Sequence, residues 1–240
     1  MFVLGSMSAF FISYSHSDFF GKLIILSLVA VSMICWIVLL YKIWTIKQVR
    51  KLSQSFRSAI DQQKASLLTV DISHLPPQPY GQIFQSVKDK TIEMLNKNRY
   101  FITQSAGSKA SVHLTPADLE FLESHAVATI SAQNKELEKH LYILPTIVTL
   151  GPFLGLLGTV WGILVTFSGL HDGAGLGSNS SILGGLSTAL ATTVMGLIIA
   201  IPALISYNYL KNHLRNYASD MDSFLTMLIS HIELQYRKVE

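Results

Sequence analysis

Three long apolar runs dominate the pattern of hydrophobic and polar residues along the chain. Residues 23–41, 141–170 and 173–210 contain no Asp, Glu, Lys or Arg, and the runs are 19, 30 and 38 residues long. A helix of about 20 apolar residues crosses the hydrocarbon core of a bilayer. The pattern therefore predicts an all-α membrane protein with transmembrane helices at 22–44, 141–170 and 182–210.

Amphipathic stripes flank the second and third runs. Thr115 and Pro116 form a good helix start. After them, apolar residues recur at steps of three and four: Leu119, Leu122, Ala126, Ile130, Leu137 and Leu141. No strong breaker stands before Pro145, so we expect this helix to run unbroken into the second span. A second stripe, Leu210 to Ile232, extends the third span almost to the C-terminus. Stripes this long need partners, which favours an oligomer.

The basic residues indicate how the chain is oriented. Thirteen of the 18 Lys and Arg residues lie between Lys42 and Lys139, four follow the third span, and only Lys22 precedes the first. The positive-inside rule then places the N-terminus outside. We expect an outer segment at 1–21, a cytoplasmic helical domain at 45–140, an outer turn at 171–181 and a cytoplasmic C-terminal helix at 211–240. Spans two and three would thus continue as long cytoplasmic helices.

Several classes of function find no support in the composition. Cys35 is the single cysteine, so no intramolecular disulfide can form, and the eight histidines show no metal-ligand spacing. No basic and aromatic cluster indicates nucleic-acid binding. The N-terminal stretch MFVLGSMSAFF lacks a basic region, so we interpret the first span as a retained helix and not as a signal peptide. We expect no cofactor, no metal and no covalent chemistry.

Small residues line one face of the second span and one face of the third. At 100° per residue they fall within a narrow arc of each helix: Gly151, Gly155, Gly158 and Gly162 on the second; Gly185, Gly196 and Ala200 on the third. Small faces let membrane helices approach closely, so we interpret these residues as packing residues. We also expect Pro152 to kink the second span.

Threonines accompany both small faces. Thr188, Thr192 and Thr193 of the third span would face Thr159 and Thr166 of the second. Each hydroxyl could simply bond the carbonyl one turn back in its own helix. Together they could instead form a polar strip that holds water or relays a proton. None of the three apolar runs contains an ionisable Asp, Glu, Lys, Arg or His, so a partner protein's carboxylate would have to hold a proton on its way across.

The motif GLLGTVWGI at 155–163, followed by STALATTVMGLIIAIPALISYN at 187–208, resembles the TolQ/ExbB branch of the TolQ/ExbB/MotA proton-channel family. The resemblance implies a pentameric ring in the bacterial inner membrane. That ring would surround two helices of a TolR/ExbD-like partner, which carries a membrane aspartate, and a TolA- or TonB-like protein would pass the work outward. By the same resemblance Thr159 and Thr193 line the proton path, with Gly196 as the glycine of a family motif and Pro202 kinking the third span.

One position departs from the family pattern. That pattern usually has a glutamate where this chain has Thr188. We therefore expect the partner's aspartate to be the sole titrating site. Two other functions compete with a proton channel: a non-conducting scaffold whose small faces only assemble a complex, and a solute transporter, which usually shows inverted repeats or broken helices.

Overall fold

The computed structural model describes residues 18–62, 78–106, 113–171 and 179–236. Five α-helices account for nearly all of these residues: α1 (Phe19–Gln62), α2 (Pro79–Ala106), α3 (Pro116–Glu138), α4 (Ile143–His171) and α5 (Asn179–Tyr236). The all-α prediction is confirmed over this part of the chain. Residues 1–17 of the predicted outer segment, the proline-containing stretch 63–77 and residues 172–178 of the predicted outer turn lie outside the described residues.

The helices form two compact units, each described here by itself. Unit 1 comprises Met1–Lys42 and His140–Leu210, and unit 2 comprises Ile43–Lys139 and Lys211–Glu240. Within the described residues, three stretches are long and apolar enough to cross a membrane: Phe19–Ser58, Pro116–Gly169 and Ile182–Tyr236. The prediction of three membrane-spanning helices is thereby confirmed by length and composition. The bounds of the spans, the orientation of the N-terminus and the cytoplasmic extension of spans two and three stay predictions.

The outer surface of unit 1 is apolar. Large hydrophobic side chains are more than half exposed on every helix of the unit, among them Leu26, Ile37, Phe153, Phe167 and Ile205. An aqueous surface does not carry apolar residues at this density, because contiguous exposed apolar patches favour association with lipid or protein. The unit is therefore built for a hydrocarbon surrounding.

Unit 2 has a hydrophobic core in which α1, α2, α3 and α5 meet. Its aromatic centre consists of Phe56, Tyr80, Phe84, Tyr217 and Phe224, whose successive ring centroids lie 4.7–6.2 Å apart. Leu122, Ala126 and Ile130 bury the α3 stripe in this core, and Met221, Phe224 and Leu228 bury the α5 stripe. The amphipathic stripes of α3 and α5 thus find packing partners within the chain itself. An oligomer is not needed to bury these residues.

A buried hydrogen bond joins α1 to α5 within unit 2. The hydroxyls of Ser53 and Tyr217 lie 2.6 Å apart. Burial raises the pKa of Tyr217 above its ordinary value, and burial together with the nearby Asp220 raises the pKa of Tyr80 to about 12. Both phenols therefore stay protonated at any physiological pH.

The predicted start of α3 is confirmed in detail. Thr115 is the N-cap, Pro116 is the first helical residue, and Asp118 completes a capping box with the Thr115 backbone N–H. The amide of Asn98 in α2 donates a further hydrogen bond of 3.1 Å to the Asp118 carboxylate. Partial burial raises the pKa of Asp118, but the hydrogen bonds from Thr115 and Asn98 outweigh it and hold the pKa below its usual value.

This lowered pKa predicts acid sensitivity of the first turn of α3. A depressed folded-state pKa means that the carboxylate stabilises the fold above its ordinary pKa of about 3.9 and loses that stabilisation as pH falls through the folded value. We expect the amides of the first turn to lose about 1 kcal/mol of protection against hydrogen exchange, measured on the full chain, once the pH falls below the folded-state pKa of Asp118. In Asp118→Asn, which keeps an acceptor oxygen, protection should not change with pH. Equal pH dependence in both proteins would contradict the assignment.

The expectation of one unbroken helix into the second span is wrong. The chain turns at residues 139–142, between the end of α3 at Glu138 and the start of α4 at Ile143. His140 has a φ of 64°, and the Lys139 N–H bonds back to the Glu136 carbonyl. A residue in the left-handed region just past a helix end is a common terminator, although glycine usually occupies it. Histidine in that place leaves no helix-stop signal in the sequence.

Candidate functional site

The centre of the contact between α4 and α5 is formed by two glycines of α4. A methyl group added at Gly155 would lie 2.9 Å from both the Thr192 carbonyl oxygen and the Thr193 Cα. One added at Gly158 would lie 2.7 Å from the Thr192 Cβ. Real Cβ atoms do not approach other heavy atoms this closely, so the two helices meet at a distance that only glycine permits.

The same contact continues on both sides of this centre. Gly151 packs backbone to backbone with Gly196, and the nearby Ala200 is buried at 6% exposure. Toward the other end, a methyl group at Gly162 would lie 2.7 Å from the Ala189 Cβ. The small residues that the periodicity placed on two faces therefore lie against each other.

Not every glycine of the two helices takes part. A methyl group at Gly185 would meet the Thr166 hydroxyl, whereas one at Gly169 or at Gly184 would find no atom within 4 Å. Of the predicted packing positions, Gly185 thus contacts a threonine of α4. A methyl group can be added at Gly169 or Gly184 without a clash, so these two glycines serve as control positions for substitutions at the helix contact.

The Gly155 carbonyl oxygen is the point at which three threonine hydroxyls converge. Thr193 donates to it at 3.0 Å, Thr192 lies at 3.2 Å and Thr159 at 3.5 Å. The hydroxyls of Thr193 and Thr159 are themselves 3.3 Å apart. Thr159 and Thr192 are 9% and 3% exposed, so this polar cluster is enclosed within the helix pair.

The sequence left two interpretations of the threonines, a hydrogen bond within their own helix and a polar strip between the helices, and each applies to different threonines. Thr159, Thr166, Thr188 and Thr192 each donate at 2.7–2.9 Å to a carbonyl three or four residues earlier in their own helix. Thr192 additionally reaches across to α4, as Thr193 does. The cross-helix pair that the structure brings together is therefore Thr159 with Thr193, with Thr192 beside it, while Thr166 and Thr188 lie further along.

Both prolines of the prediction lie inside helices, Pro152 in α4 and Pro202 in α5. A proline within a helix cannot donate to the carbonyl four residues earlier, here those of Val148 and Ile198. The predicted kinks at the two positions stay predictions.

A cavity of about 60 Å³ lies beside the cluster, within unit 1. Thr166, Thr188 and Thr192 line it together with Asp18 and Trp161. Asp18 was not among the sequence candidates, because the apolar run begins later and no local pattern links position 18 to position 161. The available signal was an aspartate directly before a long helix, a favoured N-cap residue.

Known proteins resemble this chain over the region that contains the site. Residues 96–223 match the MotA/TolQ/ExbB proton channel family. The biopolymer transport protein ExbB of Aquifex aeolicus is 36% identical over 123 residues, which are 51% of this chain and 79% of that protein. The Tol-Pal system protein TolQ of Haemophilus influenzae is 36% identical over 104 residues, 40% of this chain and 45% of that protein.

A longer and weaker match covers most of the chain. The biopolymer transport protein ExbB of Pseudomonas putida is 28% identical over 224 residues, 90% of this chain and 62% of that protein. The matches with the Haemophilus and Pseudomonas proteins span less than two thirds of those relatives' length. Proteins of this family are channel subunits that energise transport at the cell envelope, not enzymes, and they work in complexes. The chain belongs to the MotA/TolQ/ExbB proton channel family, within its TolQ/ExbB branch.

Proposed function

We propose that the protein is the proton-channel subunit of a bacterial inner-membrane complex that uses the proton motive force to drive work at the cell envelope. Its proton path runs along the contact between α4 and α5, past Thr159 and Thr193. Thr192, Thr166 and Thr188 extend the path on one side. The subunit assembles as a homo-oligomer, a pentamer by the family resemblance.

The observation that carries this proposal is the Thr159–Thr193 contact of 3.3 Å inside a helix pair whose residues 143–170 and 182–210 contain no ionisable side chain. A hydroxyl both donates and accepts, so two hydroxyls in contact can pass a proton to or from a third group. A hydrogen bond between membrane helices adds on average only about 0.6 kcal/mol, so a scaffold would gain little stability from these hydroxyls.

A partner protein supplies a carboxylate in this proposal. Residues 143–170 and 182–210 contain no Asp, Glu, Lys, Arg or His. A proton crossing hydrocarbon needs an ionisable group partway. A TolR/ExbD-like single-span protein with a membrane aspartate meets that need, and a TolA- or TonB-like protein would receive the work.

The energy available is sufficient for a mechanical step. One elementary charge that moves through 100 mV releases about 2.3 kcal/mol, several times the thermal energy. Such a step can bias the rotation or shift of a helix for each proton that passes. No covalent chemistry is required.

The proposal predicts that the two hydroxyls matter for conduction and not for assembly. Thr159→Val with Thr193→Val removes both hydroxyls but keeps the branched shape of the side chains. We expect proton flux into vesicles that contain the complete complex to fall by at least about tenfold, which corresponds to about 1.4 kcal/mol in the barrier. The oligomer, measured by size-exclusion chromatography with light scattering, should be unchanged.

The matched control is the pair Thr159→Ser and Thr193→Ser, which keeps both hydroxyls and should keep the flux. The competing function is a non-conducting scaffold, which the glycine contact of α4 with α5 favours. Unchanged flux in the double valine protein, or no flux in the wild-type complex, would support the scaffold and reject the channel.

A further inference from the structure

A cavity of about 100 Å³ lies within unit 2, beside the contact between α1 and α5. Part of its lining is apolar and includes Ile46 of α1 and Leu214 of α5. Basic and acidic side chains line the same space, with Arg50 on α1 and His213 and Asp220 on α5. The cavity therefore combines an apolar wall with groups of opposite charge.

The charged groups follow a fixed order along the two helices. The Ser53 and Tyr217 hydroxyls, 2.6 Å apart, mark a common level on α1 and α5. Arg50 precedes Ser53 by three residues and His213 precedes Tyr217 by four, so both lie about one turn before that level. Asp220 follows Tyr217 by three residues and lies about one turn beyond it. Since both helices enter unit 2 at the end of an apolar run, the basic groups lie nearer to the apolar runs than the acidic group does.

The opposite charges of this cavity do not pair with each other. Across the part of the chain that the structure describes, two ion pairs form, and neither includes Arg50 or Asp220. A guanidinium group presents N–H donors that suit a phosphate, and a carboxylate accepts hydrogen bonds from an ammonium group. A ligand that satisfies both side chains carries a phosphate toward the apolar runs and an amine further from them.

The cavity begins close to the ends of the apolar runs. Ile46 lies five residues beyond the run 23–41, and His213 lies three residues beyond the run 173–210. These intervals correspond to about 8 Å and about 5 Å along a helix. The polar headgroup layer of a bilayer is about 5–8 Å thick on each side. The near end of the cavity is therefore at the depth of lipid headgroups when the two runs span the hydrocarbon core.

We propose that this cavity binds the headgroup of a phospholipid that carries a primary amine, of which phosphatidylethanolamine is the simplest. Arg50 and His213 donate to the phosphate, Asp220 accepts from the ammonium group, and Ile46 contacts the start of the acyl chains. The order of acyl chain, phosphate and amine in the lipid is the order of apolar, basic and acidic groups along the helices. The bound lipid ties α1 to α5, and this role does not depend on proton conduction.

The size of the cavity agrees with such a headgroup. A water-sized group needs about 10–15 Å³ of this kind of volume, so about 100 Å³ admits roughly seven to ten of them. A phosphoethanolamine group has about eight non-hydrogen atoms, which is within that range. The acyl chains stay outside the cavity and in the membrane.

The first experiment compares lipids by native mass spectrometry of the full chain, purified in detergent and freed of lipid. We expect phosphatidylethanolamine to bind at least about tenfold more tightly than phosphatidylglycerol with the same acyl chains, a difference of about 1.4 kcal/mol. Phosphatidylglycerol has the phosphate but no amine, so the difference reports the acidic end of the cavity. Equal binding of the two lipids would overturn the proposal.

The second experiment assigns the two ends of the cavity to residues. Asp220→Asn should lower binding of phosphatidylethanolamine to the level of phosphatidylglycerol and leave phosphatidylglycerol binding unchanged, which also shows that the cavity is still folded. Arg50→Gln should weaken binding of both lipids about tenfold. The matched controls are Asp222→Asn and Lys51→Gln, which make the same charge changes at exposed positions of the same helices outside the cavity lining.

Two further results would reject the lipid site. The first is an effect of each control as large as that of its cavity variant, because the lipid would then respond to surface charge alone. The second is displacement of the lipid by free phosphoethanolamine or inorganic phosphate at equal concentration, which would assign the cavity to a soluble phosphate compound. Retention of the lipid against both competitors, with a loss of binding confined to the cavity variants, is the expected result.

Discussion

Replacing Gly155 by alanine is expected to break the contact between α4 and α5. The added methyl group would lie 2.9 Å from the Thr192 carbonyl and from the Thr193 Cα, and both are backbone atoms that cannot rotate away. Extra bulk in a well-packed interior costs about 1–3 kcal/mol, and a backbone clash lies at the upper end of that range. We expect the assembled complex in detergent to melt at a clearly lower temperature and proton flux to be lost.

The matched control for this variant is Gly184→Ala. A methyl group at Gly184 meets no atom within 4 Å, so the same chemical change on the neighbouring helix should leave the melting temperature and the flux nearly as in the wild type. Gly169→Ala provides the same control within α4 itself. If Gly155→Ala melts together with these controls, the close approach at Gly155 is not what holds the helix pair together.

Phe224→Ala is expected to produce the largest loss of stability in unit 2. Phe224 is fully buried on α5, and its ring lies 6.2 Å from that of Phe56 on α1 and 4.7 Å from that of Tyr80 on α2. One side chain thus joins three helices. Truncating a buried phenylalanine to alanine costs about 3–5 kcal/mol, from lost apolar burial and the cavity that remains. Hydrogen exchange on the full chain should show a loss of protection of that size in the buried segments of α1, α2 and α5 within unit 2.

Phe121→Ala is the control for this second prediction. Phe121 lies in the same unit, but its side chain is 53% exposed. The same truncation there removes little buried area and should change protection by only about 0.5 kcal/mol, the scale typical of surface positions. A loss of protection in Phe121→Ala as large as in Phe224→Ala would show that the aromatic centre does not hold the unit together.

The helices and the small faces of this protein are readable from its sequence because both depend on local periodicity. The apolar runs set the spans, and Thr115 with Pro116 sets the start of α3. Glycines at three- and four-residue steps set the small face of α4, and glycines together with alanine set that of α5. The same periodicity predicted that threonines of the third span would face Thr159 of the second. The structure brings Thr193 and Thr159 together.

Two features could not be read in that way. The break after Glu138 depends on a left-handed His140, a conformation that the residue type does not signal. The contact of Asp18 with Trp161 joins residues 143 positions apart. Local periodicity carries no information about such a pair, since only the packing of α1 against α4 creates it.

The shared acceptor at Gly155 has a consequence for how the site can change state. A carbonyl oxygen has two lone pairs, and the regular helix bond from the Thr159 N–H occupies one of them. Thr193 donates to the one that remains at 3.0 Å, while Thr159 and Thr192 lie near the same oxygen but donate to the carbonyls of Leu156 and Ala189. Rotation of either hydroxyl about its C–O bond would exchange one acceptor for the other. The least costly rearrangement of the helix pair is therefore the rotation of a hydroxyl by about 120° between staggered positions, with every backbone atom left in place.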